Sequence, residues 1–203
     1  MASFLSLPRE IRDQVYTLWI KPRVSYHDFV FGGYKAFKNT YPLEIFLLNR
    51  QINREASHIF YGNNHFAIEI GCSSPPIPRS LECLTRCSFR SWVRKILICI
   101  TMEHLDMPSH KTRESTCTHM SKVLRYTARI LANGPRLEYL RIVYMEKSSF
   151  LTAERKSEIP LFDAFEPLHG RVRTVDIDIR GTPEAVKLGD FGVLHRRLRG
   201  QPA

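Results

Sequence analysis

Cys83 and Cys87, followed by His104, His110, Cys117 and His119, are residue types that hold zinc. Tetrahedral zinc takes four thiolate or imidazole ligands presented by short loops. Here the two cysteines fall four apart on a predicted helix, Cys99 falls on a predicted strand, and the histidines occupy a polar loop. Reduced thiols and solvated histidines are the expectation, with no metal site. Asp176 and Asp178 alternate onto one strand face, as a general acid and base would, yet solvation at a strand edge accounts for such a pair. No Gly-x-Ser-x-Gly elbow and no phosphate-binding loop occurs. The expectation is a non-enzymatic protein: no catalytic residues, no metal and no cofactor.

Asp190-Phe191-Gly192, within Val186 to Val193, has the letters of a kinase magnesium-binding strand. That chemistry also needs a Gly-rich loop, a strand lysine paired with a helix glutamate, and a His-Arg-Asp loop. None precedes it, so the match is read as coincidence.

Charge is the stronger feature. Thirty Lys and Arg against twenty Asp and Glu leave a net charge of +10 over 203 residues. Such a balance attracts nucleic acid, acidic protein surfaces or anionic membranes. The basic residues are mostly scattered; only His195-Arg196-Arg197-Leu198-Arg199-Gly200 is a run. Arg196, Arg197 and Arg199 are therefore candidate nucleic-acid contacts, against the favoured expectation of a frayed, solvated end. Tyr26, Phe29, Phe31, Tyr34, Phe37 and Tyr41 lie among Lys21, Arg23, Lys35 and Lys38, and are expected to fill a core rather than stack on bases. The first residues lack a basic n-region, and runs such as Ile96 to Ile100 are too short to span a bilayer. A cytoplasmic or nuclear protein without a membrane partner is predicted, its five cysteines reduced.

The elements that must position these residues follow from periodicity. Pro8 suits the first turn of a helix carrying Ile11, Val15, Leu18 and Trp19 as one apolar stripe, ended by Pro22. Residues 23–41 fit a loose hairpin or an irregular extended segment. A second helix is predicted from about Pro42 to Tyr61, with Leu48, Ile52, Ala56, Ile59 and Phe60 in helical period and Gly62 as a left-handed cap. Phe66, Ile68 and Ile70 then alternate along a strand, and Ser73 to Pro78 is a linker. Three later segments, 93–100, 137–144 and 172–179, share one cadence, with mostly apolar residues in fourth, sixth and eighth place. The clearest helix, about Glu114 to Ala132, carries Met120, Val123, Leu124, Thr127 and Leu131 on one face before Asn133-Gly134-Pro135. Strand, helical connection and strand again imply parallel pairing. The expected class is α/β: a helical module over 1–71, helix-strand repeats over 79–182 forming a small, mostly parallel sheet or degenerate solenoid, and a basic tail over 183–203.

The N-terminal motifs carry a resemblance. Leu7-Pro8-Arg9-Glu10-Ile11-Arg12, then Leu47 to Ala56 with Arg50-Gln51-Ile52 and Glu55-Ala56, then Phe60-Tyr61-Gly62-Asn63-Asn64-His65-Phe66 resemble a fungal family of F-box-like proteins. A sister family named for two Glu-x-Arg motifs shares Glu10-Ile11-Arg12, but Gln51 and Asn53 replace its second pair. The resemblance implies a protein-protein interaction module docking on an Skp1-type adaptor and serving a ubiquitin ligase as substrate adaptor. Leu7, Pro8, Glu10, Ile11, Arg12 and Val15 would form its partner-binding face. From the residues alone, Glu10, Arg12, Arg50, Arg54 and Glu55 are the charges of two amphipathic helices, available for crossed salt bridges that set their packing register. The alternative class is a basic nuclear regulatory or nucleic-acid-associated protein.

Overall fold

The shared cadence of the three later segments is realised as register. In the computed structural model, β2 (Lys95–Met102), β3 (Leu137–Glu146) and β4 (Val172–Arg180) pair in parallel. The apolar places align across the sheet as Ile96–Leu140–Val175, Ile98–Ile142–Ile177 and Ile100–Tyr144–Ile179. Ile96, Ile98, Ile100, Leu140 and Ile142 are fully buried. Such rows suit β-branched side chains on a sheet face closed to water. β1 (His65–Gly71) completes the order β1-β2-β3-β4, with Ile68 and Ile70 buried.

The described residues are 3–20, 43–71, 85, 90–102, 110–146, 163–180 and 190–200. The aromatic segment 23–41, the linker at 73–78, Cys72, Cys83, Cys87 and His104 lie outside them. The chain divides into two units, Met1–His65 and Phe66–Ala203. β1 belongs with the sheet, whereas the sequence division kept residues up to 71 with the helices. Among the described residues, no helix is long and apolar enough to cross a membrane.

Among the described residues of the first unit are two α-helices, α1 (Arg9–Trp19) and α2 (Arg50–Asn63). The second helix starts later than periodicity predicts. Leu43–Leu47 forms a 3-10 turn, and the side chain of Asn49 accepts from the Ile52 N–H at 2.9 Å, capping the true first turn. Gly62 is not a left-handed cap: the helix runs through it to Asn63. The Asn64 backbone and side-chain amides instead both donate to the Phe60 carbonyl, at 3.2 and 2.9 Å, and close the end.

In the second unit, α3 (His110–Ala132) makes the crossover from β2 to β3. Met120, Val123, Leu124, Thr127, Ala128 and Leu131 are its buried face, and the Thr127 hydroxyl donates to the Val123 carbonyl at 2.9 Å. Ala164, Phe165 and Leu168 are buried between β3 and β4. The final helix, α4 (Asp190–Leu198), corrects the expectation of a frayed end. Leu194 and Leu198 are buried, and His195 Nε2 lies 3.1 Å from the Val175 carbonyl on the outer strand β4. The Gly170 N–H donates to the carbonyls of Arg197 and Leu198 at 3.3 and 3.0 Å. Gly170 and Gly200 take φ of 68° and 75°, the left-handed region that glycine occupies without a Cβ clash. Asp190-Phe191-Gly192 thus opens a helix instead of forming the strand its letters suggest.

Candidate functional site

Two faces of α1 divide the work of the first unit. The buried one is polar. Arg12, Tyr16 and, at the helix end, Ile20 face inward, where Ile45, Ile52, Ala56 and Phe60 are buried. The expected apolar stripe lies elsewhere: Ile11, Leu18 and Trp19 are exposed, and Val15 is half-buried. At 100° per residue, Arg12, Tyr16 and Ile20 occupy one arc and Ile11, Val15 and Leu18 the adjacent one. The apolar stripe lies off the buried arc because a paired arginine holds the first inward position of the helix.

That arginine meets Glu55 of α2 as a two-pronged pair. Arg12 Nε donates to Glu55 Oε2 at 2.9 Å and Arg12 Nη2 to Oε1 at 2.7 Å. The third nitrogen, Nη1, donates to the carbonyls of Leu5 and Leu7, tying the segment ahead of α1 to the same guanidinium. The Tyr16 hydroxyl donates to Glu55 Oε2 at 3.0 Å, and Gln51 Nε2 donates to Oε1 at 3.1 Å. Arg9 Nη1 lies 3.5 Å from Oε1. Glu55 and Arg12 are both nearly sealed from water, so every donor matters. Phe4 closes the cluster with its ring edge on Tyr16, 5.7 Å between centroids.

The electrostatics follow from this geometry. The Arg12 guanidinium, helped by the Gln51 and Tyr16 donors, overcomes burial and pulls the Glu55 carboxyl down to about 2. Burial, then the hydrogen bond to Glu55, pushes the Tyr16 phenol up to about 12. Arg12 is raised by its bond to Glu55. All three groups keep one ionisation state across the neutral range, which suits a fastener rather than a proton-transfer site.

The segment anchored by Arg12 presents the other face. Leu7 is 39% exposed and Ile11 43%, and Pro8 and Glu10 stand exposed beside them. Leu18 and Trp19 continue the apolar surface toward the end of α1. Of the six residues predicted for partner contact, Leu7, Pro8, Glu10 and Ile11 therefore face solvent, Val15 is half-buried, and Arg12 points inward. Of the five predicted salt-bridge residues, Arg12 and Glu55 meet across the helices, while Glu10, Arg50 and Arg54 are exposed. Tyr16 and Gln51 escaped the sequence reading. The available signal was spacing: Arg12 and Tyr16, like Gln51 and Glu55, stand four apart on facing helices.

In the second unit, Asp176 and Asp178 share a sheet face with Tyr139 and Arg141. The Tyr139 hydroxyl donates to Asp176 at 3.1 Å, and Arg141 Nη2 donates to Asp178 at 2.8 Å. Cross-strand pairing, not simple solvation, accounts for these carboxylates. Cys99 is buried and forms no disulfide. Among the described residues, no group of three or more His, Cys, Asp and Glu is placed to hold a metal ion. Arg196, Arg197 and Arg199 are exposed at the end of α4. No known family model, curated protein or solved structure matches this chain.

Proposed function

We propose that the chain is a non-enzymatic protein-protein interaction protein whose first unit is an F-box-like module docking on an Skp1-type adaptor. The observation that carries this reading is the separation of roles on α1. Arg12 and Tyr16 fasten the helix to Glu55, leaving Leu7, Pro8 and Ile11 exposed on a segment braced from behind. An apolar surface held by a buried ion pair is pre-organised, which lowers the ordering cost of binding. On this reading the second unit, a degenerate helix-strand repeat, carries the surface for a protein to be brought to the ligase.

The test is co-purification of the full chain with an Skp1-type adaptor, comparing wild type with Leu7→Asp and Ile11→Asp. Retention by wild type and loss in both variants, with unchanged circular dichroism, supports the proposal. Failure of correctly folded wild-type protein to retain the adaptor sinks it.

A further inference from the structure

Arginines far apart in sequence converge on one end of the second unit. Leu137 pairs with Val172, so Arg136 and Arg171 stand side by side where β3 and β4 begin, at the strand spacing of about 5 Å. The Leu137 N–H donates to the Arg171 carbonyl at 3.1 Å, a backbone bond that braces this corner, and the exposed Arg171 Nη2 lies 3.4 Å from the Gly134 carbonyl. The end of α4 is held at the same place by the Gly170 N–H on the carbonyls of Arg197 and Leu198. Arg196, Arg197 and Arg199 are thereby brought next to Arg171, and Arg173 follows along β4. All six side chains are exposed. The carboxylates nearby are Glu138 on β3, Glu166, and Asp163 at 3.9 Å from Arg197, so cations stay in excess.

We propose that this arginine-lined end of the sheet binds the phosphate backbone of a nucleic-acid duplex. Guanidinium groups present forked donors that match phosphate oxygens, and a braced array loses little freedom on binding. Other polyanions fit less well. A single strand needs open aromatic rings for its bases, and Trp92, the ring just ahead of β2, is half-buried. A membrane needs an apolar face beside the charge, and α4 has its leucines Leu194 and Leu198 buried. An acidic peptide needs several apolar anchor points, and among the described residues of the second unit the large exposed apolar side chain is Tyr126, on the crossover helix α3.

Fluorescence anisotropy of the full chain with a labelled random-sequence DNA duplex tests the proposal across a salt series. About four simultaneous phosphate contacts give a log–log salt slope near −3.6, roughly a 150-fold loss of affinity between 50 and 200 mM salt. Arg136→Gln with Arg171→Gln is expected to weaken binding at least tenfold at low salt and to flatten the slope by about 2. Arg196→Gln with Arg199→Gln is expected to do the same, and Arg50→Gln with Arg54→Gln to change nothing, all with unchanged urea midpoints. The proposal is overturned by absence of duplex binding at 50 mM salt, or by indifference to the Arg136 and Arg171 changes. Displacement of the duplex by polyglutamate or phosphatidylserine vesicles at equal charge concentration overturns it too.

Discussion

Replacing Glu55 by glutamine is expected to unfasten α1 from α2. The amide keeps the shape of the carboxylate but leaves Arg12 facing a neutral group within a nearly sealed site. Breaking a buried pair by neutralising one member costs about 3–5 kcal/mol. The pair also holds the native Glu55 carboxyl down at about 2 against an ordinary 4.5, so the same contact makes stability depend on pH. The sign follows from the depressed native value: the contribution is complete above the unfolded value of 4.5 and is lost as pH falls through about 2. Wild type therefore loses this increment between about pH 4.5 and pH 2, and Glu55→Gln, which has none to lose, shows a flatter acid profile. The assay is urea unfolding from pH 7 to pH 2 in a Trp92→Phe background, where Trp19 on α1 is the remaining tryptophan. A penalty below about 1 kcal/mol at pH 7, or an acid profile parallel to wild type, refutes the assignment of Glu55 as the fastener.

Tyr16→Phe removes one donor from the same carboxylate and is expected to cost about 1–3 kcal/mol in the same unfolding assay, less than Glu55→Gln. Ile142→Ala empties a fully buried place in the middle of the sheet and is expected to cost about 2–5 kcal/mol by chemical denaturation, with Ile142→Val near 1. Gly200→Ala forces a Cβ into the left-handed region and to 3.2 Å from the Gly170 Cα, so amide exchange in α4 should quicken while the β2 and β3 amides hold. Ile11→Asp changes an exposed position and is expected to shift stability by no more than about 0.5 kcal/mol, read from the urea midpoint.

The sheet was legible because its signal has the right period. Three apolar places repeated at the same positions of three segments set both the buried face and the parallel register, and the structure aligns Ile98, Ile142 and Ile177 in one row. The face of α3 was equally readable, since Met120, Val123, Leu124, Thr127 and Leu131 follow one helical stripe. Helix α1 defeated the same logic. Its inward position is held by Arg12, whose burial is made tolerable by a partner 43 residues away, and apolar periodicity carries no record of such a partner. Helix α4 was missed for a related reason: Leu194 and Leu198 are few among basic residues, and the docking contacts run through His195 and the backbone of Gly170. The glycine at 62 misled because a side-chain amide, Asn64, closes that helix instead.

On the proposed function, Leu7 and Ile11 form a docking face while Arg12, Tyr16 and Glu55 hold that face in place. The decisive experiment is isothermal titration of the purified full chain into a purified Skp1-type adaptor, run beside urea melts of every variant used. Expected are one-to-one binding by wild type, loss of binding in Leu7→Asp and Ile11→Asp without loss of stability, and weakened binding in Glu55→Gln in step with its lower stability. A folded wild-type protein that gives no binding heat, or Leu7→Asp and Ile11→Asp proteins that bind as wild type does, would contradict the proposed function.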